Sequence, residues 1–432
     1  MKKIVITLLY LWFCVFAFGQ EFKDIKPESI VQYFSEIKTA AKIGYSLWNR
    51  DLYDNIILVN PDTRQLFSNN SGADSSFVQY KNSYIGKLPD SVNIANTSLT
   101  WNGLTWAMIM LPLSKDYYTR INLLAHELFH SAQSVLGFVQ NNSESIHLDQ
   151  ENGRIYLRLE LEALKKAVCS DAQDEQRMHL KGALIFRKYR NSLFPGSAHI
   201  ENQLELNEGI AEYTGLMISG RNKEKTKKHF TNVVDRFFSN PTYVRSFAYN
   251  TTPIYGYIMS LKDPLWNQKI SVNTDLTAFF MRELNIEVPK DLAATVKVIA
   301  AKYNGNLVFR EERLRAEKIR KQIAFYRSLF VDQPHMTIKF EKMNVSFDPR
   351  NILPIADLGT VYPTIRITDN WGILEVKSGA LMGPNWDKIT VSRPTKIEGQ
   401  RVEGEGWVMQ LKDQYAVQKD EPLNNYRLIK KQ

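Results

Sequence analysis

Hydrophobic positions follow a helical period through most of the chain up to Pro334, with apolar residues recurring three or four positions apart. This pattern predicts one helix over about 116–136, and further helices at residues 24–49, 154–168, 174–190, 202–218, 224–239, 275–285, 289–303 and 307–329. Two early segments, Ile56–Asn60 and Leu99–Leu113, have the alternation that is typical of strands. Residues 20–334 are therefore expected to form a mostly helical domain with an N-terminal β-containing part.

The pattern changes at His335, after which apolar and polar positions alternate in short runs separated by turn residues. The runs are Thr337–Phe340, Thr364–Thr368, Ile373–Val376, Lys388–Val391 and Gly406–Leu411. They predict a small all-β domain at residues 335–432. The fold class expected for the whole chain is α+β, with the mostly helical domain first and the all-β domain last.

The first 19 residues differ from the rest in composition. Lys2 and Lys3 precede the apolar run Ile4–Phe18, and the chain becomes polar at Glu21. This order predicts a secretory signal peptide at residues 1–19. The alternative is an uncleaved anchor, but the run is shorter than the roughly 20 residues that a spanning helix needs. We therefore expect an exported protein, periplasmic, secreted or on the surface of a bacterium, with no stable membrane span after cleavage.

Charge and cysteine content narrow the classes further. The net charge of +9 becomes about +7 without the leader, which holds two lysines and no acidic residue. The basic runs Lys223–Lys228 and Arg310–Lys321 are interleaved with glutamates, which is typical of solvated helix faces, so no nucleic-acid partner is expected. Removing the leader leaves Cys169 as the one cysteine, so no internal disulfide can form.

A metal site is predicted on the helix at about 116–136. His126 and His130 are four residues apart, so both imidazoles lie on one face and can bind one metal ion. Glu127 lies to the side of that face, where its carboxylate can accept a proton from an attacking water. Leu124 and Leu128 belong to the apolar stripe of the helix, which places the histidines beside the core. The pattern predicts a catalytic Zn²⁺ site.

Three protein ligands are expected at a catalytic zinc ion, so a third ligand has to be found. Gln133 and Leu136 stand where the metzincin pattern requires Gly and His, which excludes that class. The best candidate is Glu208, on a predicted helix face with the small residues Ala211 and Gly215. Glu212, one turn further on, can hydrogen-bond a ligating histidine.

Other third ligands remain open. Glu160 flanks an apolar row and is the main alternative, and His147 lies in a polar loop. Glu162 is discounted because its helical neighbours Arg158 and Lys166 predict an exposed ion-pair setting.

The two blocks His126-Glu127-Leu128-Phe129-His130 and Asn207-Glu208-Gly209-Ile210-Ala211-Glu212-Tyr213 resemble the gluzincin peptidases, the group of thermolysin and the aminopeptidase N-like enzymes. The resemblance implies Zn²⁺ on His126, His130 and Glu208, Glu127 as general base, and a peptide or protein substrate. A third block, Phe247–Gly256, is similar to the tyrosine segment of the aminopeptidase N-like enzymes. It implies that Tyr249, or as second choice Tyr255, stabilises the oxyanion, the alternative being that both tyrosines only pack.

The chain departs from that group in two places. Between His130 and Glu208 lie 77 residues, a much longer interval than in those families, which an inserted helical hairpin at about 145–195 would explain. The segment Thr105–Leu111, which precedes the zinc helix, contains no acidic residue to hold a free amine. Aminopeptidase specificity is therefore not supported, although this strand can still pair with an extended substrate.

The function expected from these residues is that of an exported zinc-dependent peptidase. One alternative is a catalytically inactive zinc-binding surface protein, in which the C-terminal β-domain holds a glycan or protein ligand. Another is a different zinc hydrolase, such as an amidase. The presence of Glu127 favours a hydrolase, because a purely structural zinc site has no use for that carboxylate.

Overall fold

The computed structural model describes residues 26–72, 77–139, 143–347, 352–421 and 424–431, so the predicted signal peptide lies outside the described part. The fold is α+β, with helices in the middle of the chain and sheets toward both ends, as the sequence pattern predicts. The described residues form two compact units, those up to residue 140 with Thr214–Arg221, and those of 141–213 with 222–432.

The helices agree well with the predicted periodicity. They are α1 (Pro27–Ile43), α2 (Tyr45–Trp48), α3 (Tyr117–Ala132), α4 (Glu151–Cys169), α5 (Gln173–Leu193), α6 (Ser197–Leu204), α7 (Ile210–Ile218), α8 (Lys223–Phe237), α9 (Ala248–Lys262), α10 (Leu276–Glu283), α11 (Leu292–Ile299) and α12 (Gly305–Arg327). A π-helical turn, Glu205–Gly209, joins α6 to α7, and another, Ser328–Asp332, follows α12. Short 3-10 turns lie at Ile146–Asp149, Trp266–Lys269, Ala300–Tyr303 and Ala356–Leu358. Among the described residues, no helix has both the length and the apolar composition needed to cross a bilayer.

The strands form three sheets. They are β1 (Ile56–Val59), β2 (Gln65–Ser68), β3 (Val78–Tyr80), β4 (Ser83–Lys87), β5 (Thr97–Trp101), β6 (Leu104–Met110), β7 (His335–Lys339), β8 (Asn344–Phe347), β9 (Leu353–Ile355), β10 (Gly359–Tyr362), β11 (Ile365–Asp369), β12 (Gly372–Val376), β13 (Ala380–Met382), β14 (Lys388–Ser392), β15 (Pro394–Glu398), β16 (Arg401–Gly404), β17 (Trp407–Leu411), β18 (Tyr415–Asp420) and β19 (Asn425–Lys430). The sheet orders are β3-β4-β2-β1-β6-β5, β18-β19-β7-β14-β13-β10-β9 and β15-β16-β17-β12-β11-β8.

In the first unit, the six-stranded sheet supports helix α3. Its central strand β1 pairs with β6 in parallel and with β2 in antiparallel orientation. One sheet face buries Ile57, Val59, Trp106 and Met108, and α3 packs against β5 and β6. The α3 helix therefore lies on a strand pair whose position is fixed by a buried core.

The C-terminal half of α7 belongs to the same unit and lies directly against α3. A Cβ atom on Gly215 would overlap the main-chain oxygen of Asn122, so the two backbones approach each other as only glycine allows. Thr214 accepts a hydrogen bond of 3.0 Å from the indole nitrogen of Trp48, which holds α7 beside α2 as well. The small-residue face predicted around Gly215 is thus confirmed as a close helix contact.

The second unit contains a pair of helices and a β-sandwich. Helices α4 and α5 pack against each other and cover most of the segment predicted as a helical hairpin at 145–195. The two C-terminal sheets share one core of buried residues, which includes Met336, Ile338, Leu374 and Met409. A smaller cluster connects Phe330, after α12, with Ile355, Val361 and Leu381 of the sheets. That residues 335–432 form a separate domain stays a prediction.

Candidate metal centre

Helix α3 begins as the sequence predicts. The Asp116 carboxylate accepts a hydrogen bond of 2.8 Å from the main-chain nitrogen of Thr119, which makes it the N-cap. Ile121, Leu124 and Leu128 form the predicted stripe and are completely buried. The stripe fixes the rotation of α3, and with it the direction in which the histidines point.

The two predicted histidines converge. The Nε2 atoms of His126 and His130 lie 3.1 Å apart, with the rings at 74° to each other. Two imidazoles on one tetrahedral zinc ion, each at roughly 2.0–2.1 Å, would place these atoms about 3.3 Å apart. The pair therefore has the spacing that a shared metal ion requires.

Gln133 fixes the orientation of His130. It is completely buried, and its amide oxygen lies 2.9 Å from the Nδ1 atom of His130. In the tautomer that donates from Nδ1 to this oxygen, Nε2 keeps its lone pair for a metal. Sequence reasoning used Gln133 only to exclude the metzincin class, although its position three residues after His130 on the same helix face was a usable signal.

Glu127 follows His126 on α3 and is 4% exposed. Carboxylates are seldom buried to this degree, and where they are, a specific role is the usual reason. Glu127 is thus a buried carboxylate next to His126 in the chain.

Glu208 lies on the π-helical turn between α6 and α7. Its carboxylate accepts hydrogen bonds from the Tyr249 hydroxyl, 2.5 Å from Oε2, and from the Asn207 amide, 3.1 Å from Oε1. A π-helical turn adds a residue to the helix and rotates the side chains that follow, and such turns are frequent at functional sites.

The three predicted ligands come together. Among the described residues, one nitrogen each of His126 and His130 and one carboxylate oxygen of Glu208 lie within 4.8 Å of one another. Two imidazoles and one carboxylate are the donor set of a catalytic zinc site with one position left for water. The residues present therefore fit Zn²⁺.

The main alternative ligand is engaged elsewhere. Both oxygens of Glu160 accept hydrogen bonds of 2.7 Å, one from Arg187 and one from Arg190, and the residue is completely buried. His147, the third candidate, has its Nε2 atom 2.7 Å from Glu201 in the same buried cluster. Both side chains are thus engaged in this buried cluster, and among the described residues neither belongs to the group of possible ligand atoms around His126 and His130.

The expected setting of Glu162 is wrong. It is 8% exposed and lies 3.2 Å from the Lys165 ammonium and 3.3 Å from the Asn304 amide nitrogen. The i,i+4 pattern with Arg158 and Lys166 predicted exposure, but α4 is enclosed by other helices on most of its surface. Ion pairs along a helix therefore do not mark its solvent face here.

The two candidate tyrosines differ in accessibility. Tyr249 is 38% exposed, and its hydroxyl reaches Glu208. Tyr255 is completely buried, stacks on Phe280 and donates a hydrogen bond of 3.2 Å to Glu160. Burial, and next to it the Glu160 charge, raises the pKa of Tyr255 well above its usual value. Only Tyr249 is placed to act on a ligand.

Glu212 is partly buried on α7, one turn after Glu208. It lines a cavity of about 230 Å³ together with His229, Val233, Arg236, Phe237, Asn240, Tyr249 and Asn250. The hydrogen bond predicted from Glu212 to a ligating histidine stays a prediction.

The strand that was expected to pair with a substrate already has a neighbouring strand on each side. The segment Thr105–Leu111 falls mainly on β6, whose two edges are already paired with β1 and β5. The edge of this sheet next to α3 is β5, and Ser98 on β5 lies 3.4 Å, hydroxyl to hydroxyl, from Ser131, the residue after His130. The error arises because the parallel pairing of β6 with β1 is a long-range contact that alternation does not reveal.

No protein-family model matches the chain, and neither a curated protein nor a solved structure matches it. The interpretation of the site therefore depends on its residues and their geometry alone.

Proposed function

We propose that the protein is an exported zinc-dependent peptidase of the gluzincin type. The observation that supports this most directly is the cluster of His126, His130 and Glu208, the three residues that the two sequence motifs predict as ligands. Export is proposed on the basis of the leader at residues 1–19.

The reaction proposed is hydrolysis of a peptide bond. Zn²⁺, when bound, would acidify a water molecule and polarise the substrate carbonyl. Glu127 accepts the proton from the attacking water and passes it to the leaving amine. Tyr249 then donates its hydroxyl hydrogen bond to the oxyanion that develops on the substrate, in place of its bond to Glu208.

Substrate binding is proposed along β5. This edge strand offers unpaired main-chain groups to an extended peptide, and Ser98 on β5 adjoins the residue after His130. Recognition through the main chain needs no free amine, so internal segments of a peptide can bind. This agrees with the lack of an acidic residue in Thr105–Leu111.

The test compares wild type with Glu127→Gln. Purified mature chain is assayed for bound zinc by mass spectrometry and for cleavage of a mixed peptide library. We expect about one zinc per chain in both proteins and a loss of cleavage of about 10²–10⁴-fold or more in the variant. Glu162→Gln, which changes another buried glutamate, is the control and should keep its activity. Absence of zinc from wild type would refute the proposal.

The ligand assignment has its own test. Glu208→Ala should abolish stoichiometric zinc binding. Glu160→Ala should retain zinc binding in the fraction of the variant protein that folds. The opposite result would make Glu160 the ligand and the Glu208 assignment wrong.

A zinc-binding surface protein without catalysis is the second candidate. It is favoured by Trp386, a 41% exposed aromatic residue beside Tyr362 and Phe347 on the β-sandwich, which is suited to a glycan or protein ligand. Stoichiometric zinc without cleavage that depends on Glu127 would support this candidate over the peptidase.

A further inference from the structure

The π-helical turn that carries Glu208 is held by a buried ion pair. Glu205, the first residue of the turn, receives two hydrogen bonds from the Arg187 guanidinium, 2.7 Å to Oε1 and 2.9 Å to Oε2. Both side chains are 1% exposed. A bidentate pair of this kind fixes the orientation of both planar groups as well as their distance.

The pair is part of a larger cluster. Arg187 also donates to Glu160 at 2.7 Å, and Arg190 joins Glu160, at 2.7 Å, to Glu201, at 2.6 and 3.0 Å. All four side chains are at most 3% exposed. The cluster thereby connects α4, α5, α6 and the π-helical turn through charged hydrogen bonds.

Helix α9 is attached to the same turn. The Thr251 hydroxyl donates to Glu205 Oε1 at 2.6 Å, two residues beyond Tyr249, which donates to Glu208. A Cβ atom on Gly209 would overlap the Thr252 hydroxyl, so the backbone of the turn lies directly against the Thr252 side chain of α9. The segment with the third ligand and the segment with the proposed oxyanion donor are therefore fixed to each other.

A buried ion network of this size gains little stability over apolar packing of the same volume, because desolvation of the charges offsets their attraction. Its advantage is a defined geometry. A π-helical turn is a rare conformation that needs tertiary support, and this one determines where Glu208 points.

We propose that Arg187, Glu205 and Thr251 are positioning residues that hold the π-helical turn so that Glu208 presents its carboxylate to zinc. The inference rests on the proposed function, because it assigns these residues a role toward the zinc ligand. They act through Glu208.

Glu312 provides a matched control. It is 2% exposed and, like Glu205, is a buried carboxylate that accepts charged hydrogen bonds, in its case from Arg154 at 2.7 Å and Arg158 at 2.8 Å. Its hydrogen bonds connect α12 to α4, and they involve none of Arg187, Glu205 and Thr251. Loss of its charge should affect stability alone.

The experiment measures zinc affinity by competition with a chelator, and the unfolding temperature of the metal-free protein. Glu205→Gln should weaken zinc binding about 10–100-fold, the range found when support of a metal ligand is removed. The zinc affinity of Glu312→Gln should stay within about 2-fold of the wild-type value, even if its unfolding temperature falls as far as that of Glu205→Gln. Thr251→Val should weaken binding several-fold, and Thr251→Ser, which keeps the hydroxyl, should restore it.

The outcomes separate the two proposals. Equal zinc affinities in Glu205→Gln and Glu312→Gln, with zinc bound to wild type, would overturn the positioning role and leave the peptidase proposal standing. Wild type without zinc affinity would overturn both. If Glu205→Gln does not fold, the Thr251→Val and Thr251→Ser pair decides, and equal affinities in these two variants would overturn the positioning role.

Discussion

At the residue scale, the amide oxygen of Gln133 lies 2.9 Å from Nδ1 of His130, where it can accept a hydrogen bond from the ring. Replacement by Leu removes the acceptor for Nδ1–H, and we expect zinc affinity to fall about 10–100-fold. Gln133→Glu keeps an acceptor at the same place and should bind zinc at least as tightly as wild type. Chelator competition measures both, and a Leu variant with unchanged affinity would contradict the role given to Gln133.

The buried carboxyl of Glu201 should make the stability of the folded protein depend on pH. Burial alone would raise the pKa of its carboxyl, but the charge and hydrogen bonds of Arg190 outweigh burial and lower it from 4.5 to about 2. A carboxyl whose pKa is lower in the folded than in the unfolded protein stabilises the folded state at pH values above its unfolded pKa, here 4.5. That contribution, about 3 kcal/mol, is lost as the pH falls from 4.5 to 2.

The prediction for Glu201→Gln follows from that sign. In urea unfolding, the variant should have a lower free energy of unfolding than wild type, and this difference should be largest at pH 7. It should shrink by up to about 3 kcal/mol between pH 4.5 and pH 2. A difference in the free energy of unfolding that stays constant across this interval would contradict the lowered pKa.

At the scale of elements, the contact of α3 with α7 depends on Gly215. Ala is favoured over Gly in a helix by about 1 kcal/mol, so in open space Gly215→Ala would stabilise the protein. Here the added methyl group overlaps the main-chain oxygen of Asn122, and we expect destabilisation by about 1–3 kcal/mol instead. Chemical denaturation decides between the two signs, and a more stable variant would show that the helices can separate at no cost.

Local patterns predicted most of the helices and the His126 and His130 pair, because period and spacing are properties of short segments. Helix α9 was not predicted, since Pro253 lies inside it and proline normally ends a helix. The period over 202–218 correctly predicted a helix but could not reveal the π-helical turn. This turn adds a single residue to the helix and so changes the direction in which Glu208 points.

Long-range contacts account for the remaining differences. Glu162 was expected in solvent because its neighbours along α4 are basic, yet other helices enclose it. The pairing of β6 with β1, and the arginines that engage Glu160, join positions far apart in the sequence. A single sequence carries no periodic signal for such contacts.

At the scale of the whole molecule, the end of α12 and the turn after it pack against the all-β region. Phe330 is 2% exposed, lies parallel to Tyr326 with ring centroids 5.7 Å apart, and contacts the apolar cluster of β9, β10 and β13. Helix α12 and the sandwich therefore share buried surface within the second unit. Each is expected to stabilise the other.

Phe330→Ala tests this coupling, with Phe325→Ala, near the end of α12, as its control. Phe330 loses buried contacts on both sides, so we expect a cost of about 3–5 kcal/mol in the free energy of unfolding. Phe325 is 60% exposed, and its truncation should change stability by less than about 0.5 kcal/mol. In calorimetry the Phe330 variant should lower the unfolding temperature of helical and β structure together. A β-sandwich transition that does not move while the helices melt earlier would instead make residues 335–432 an independent domain.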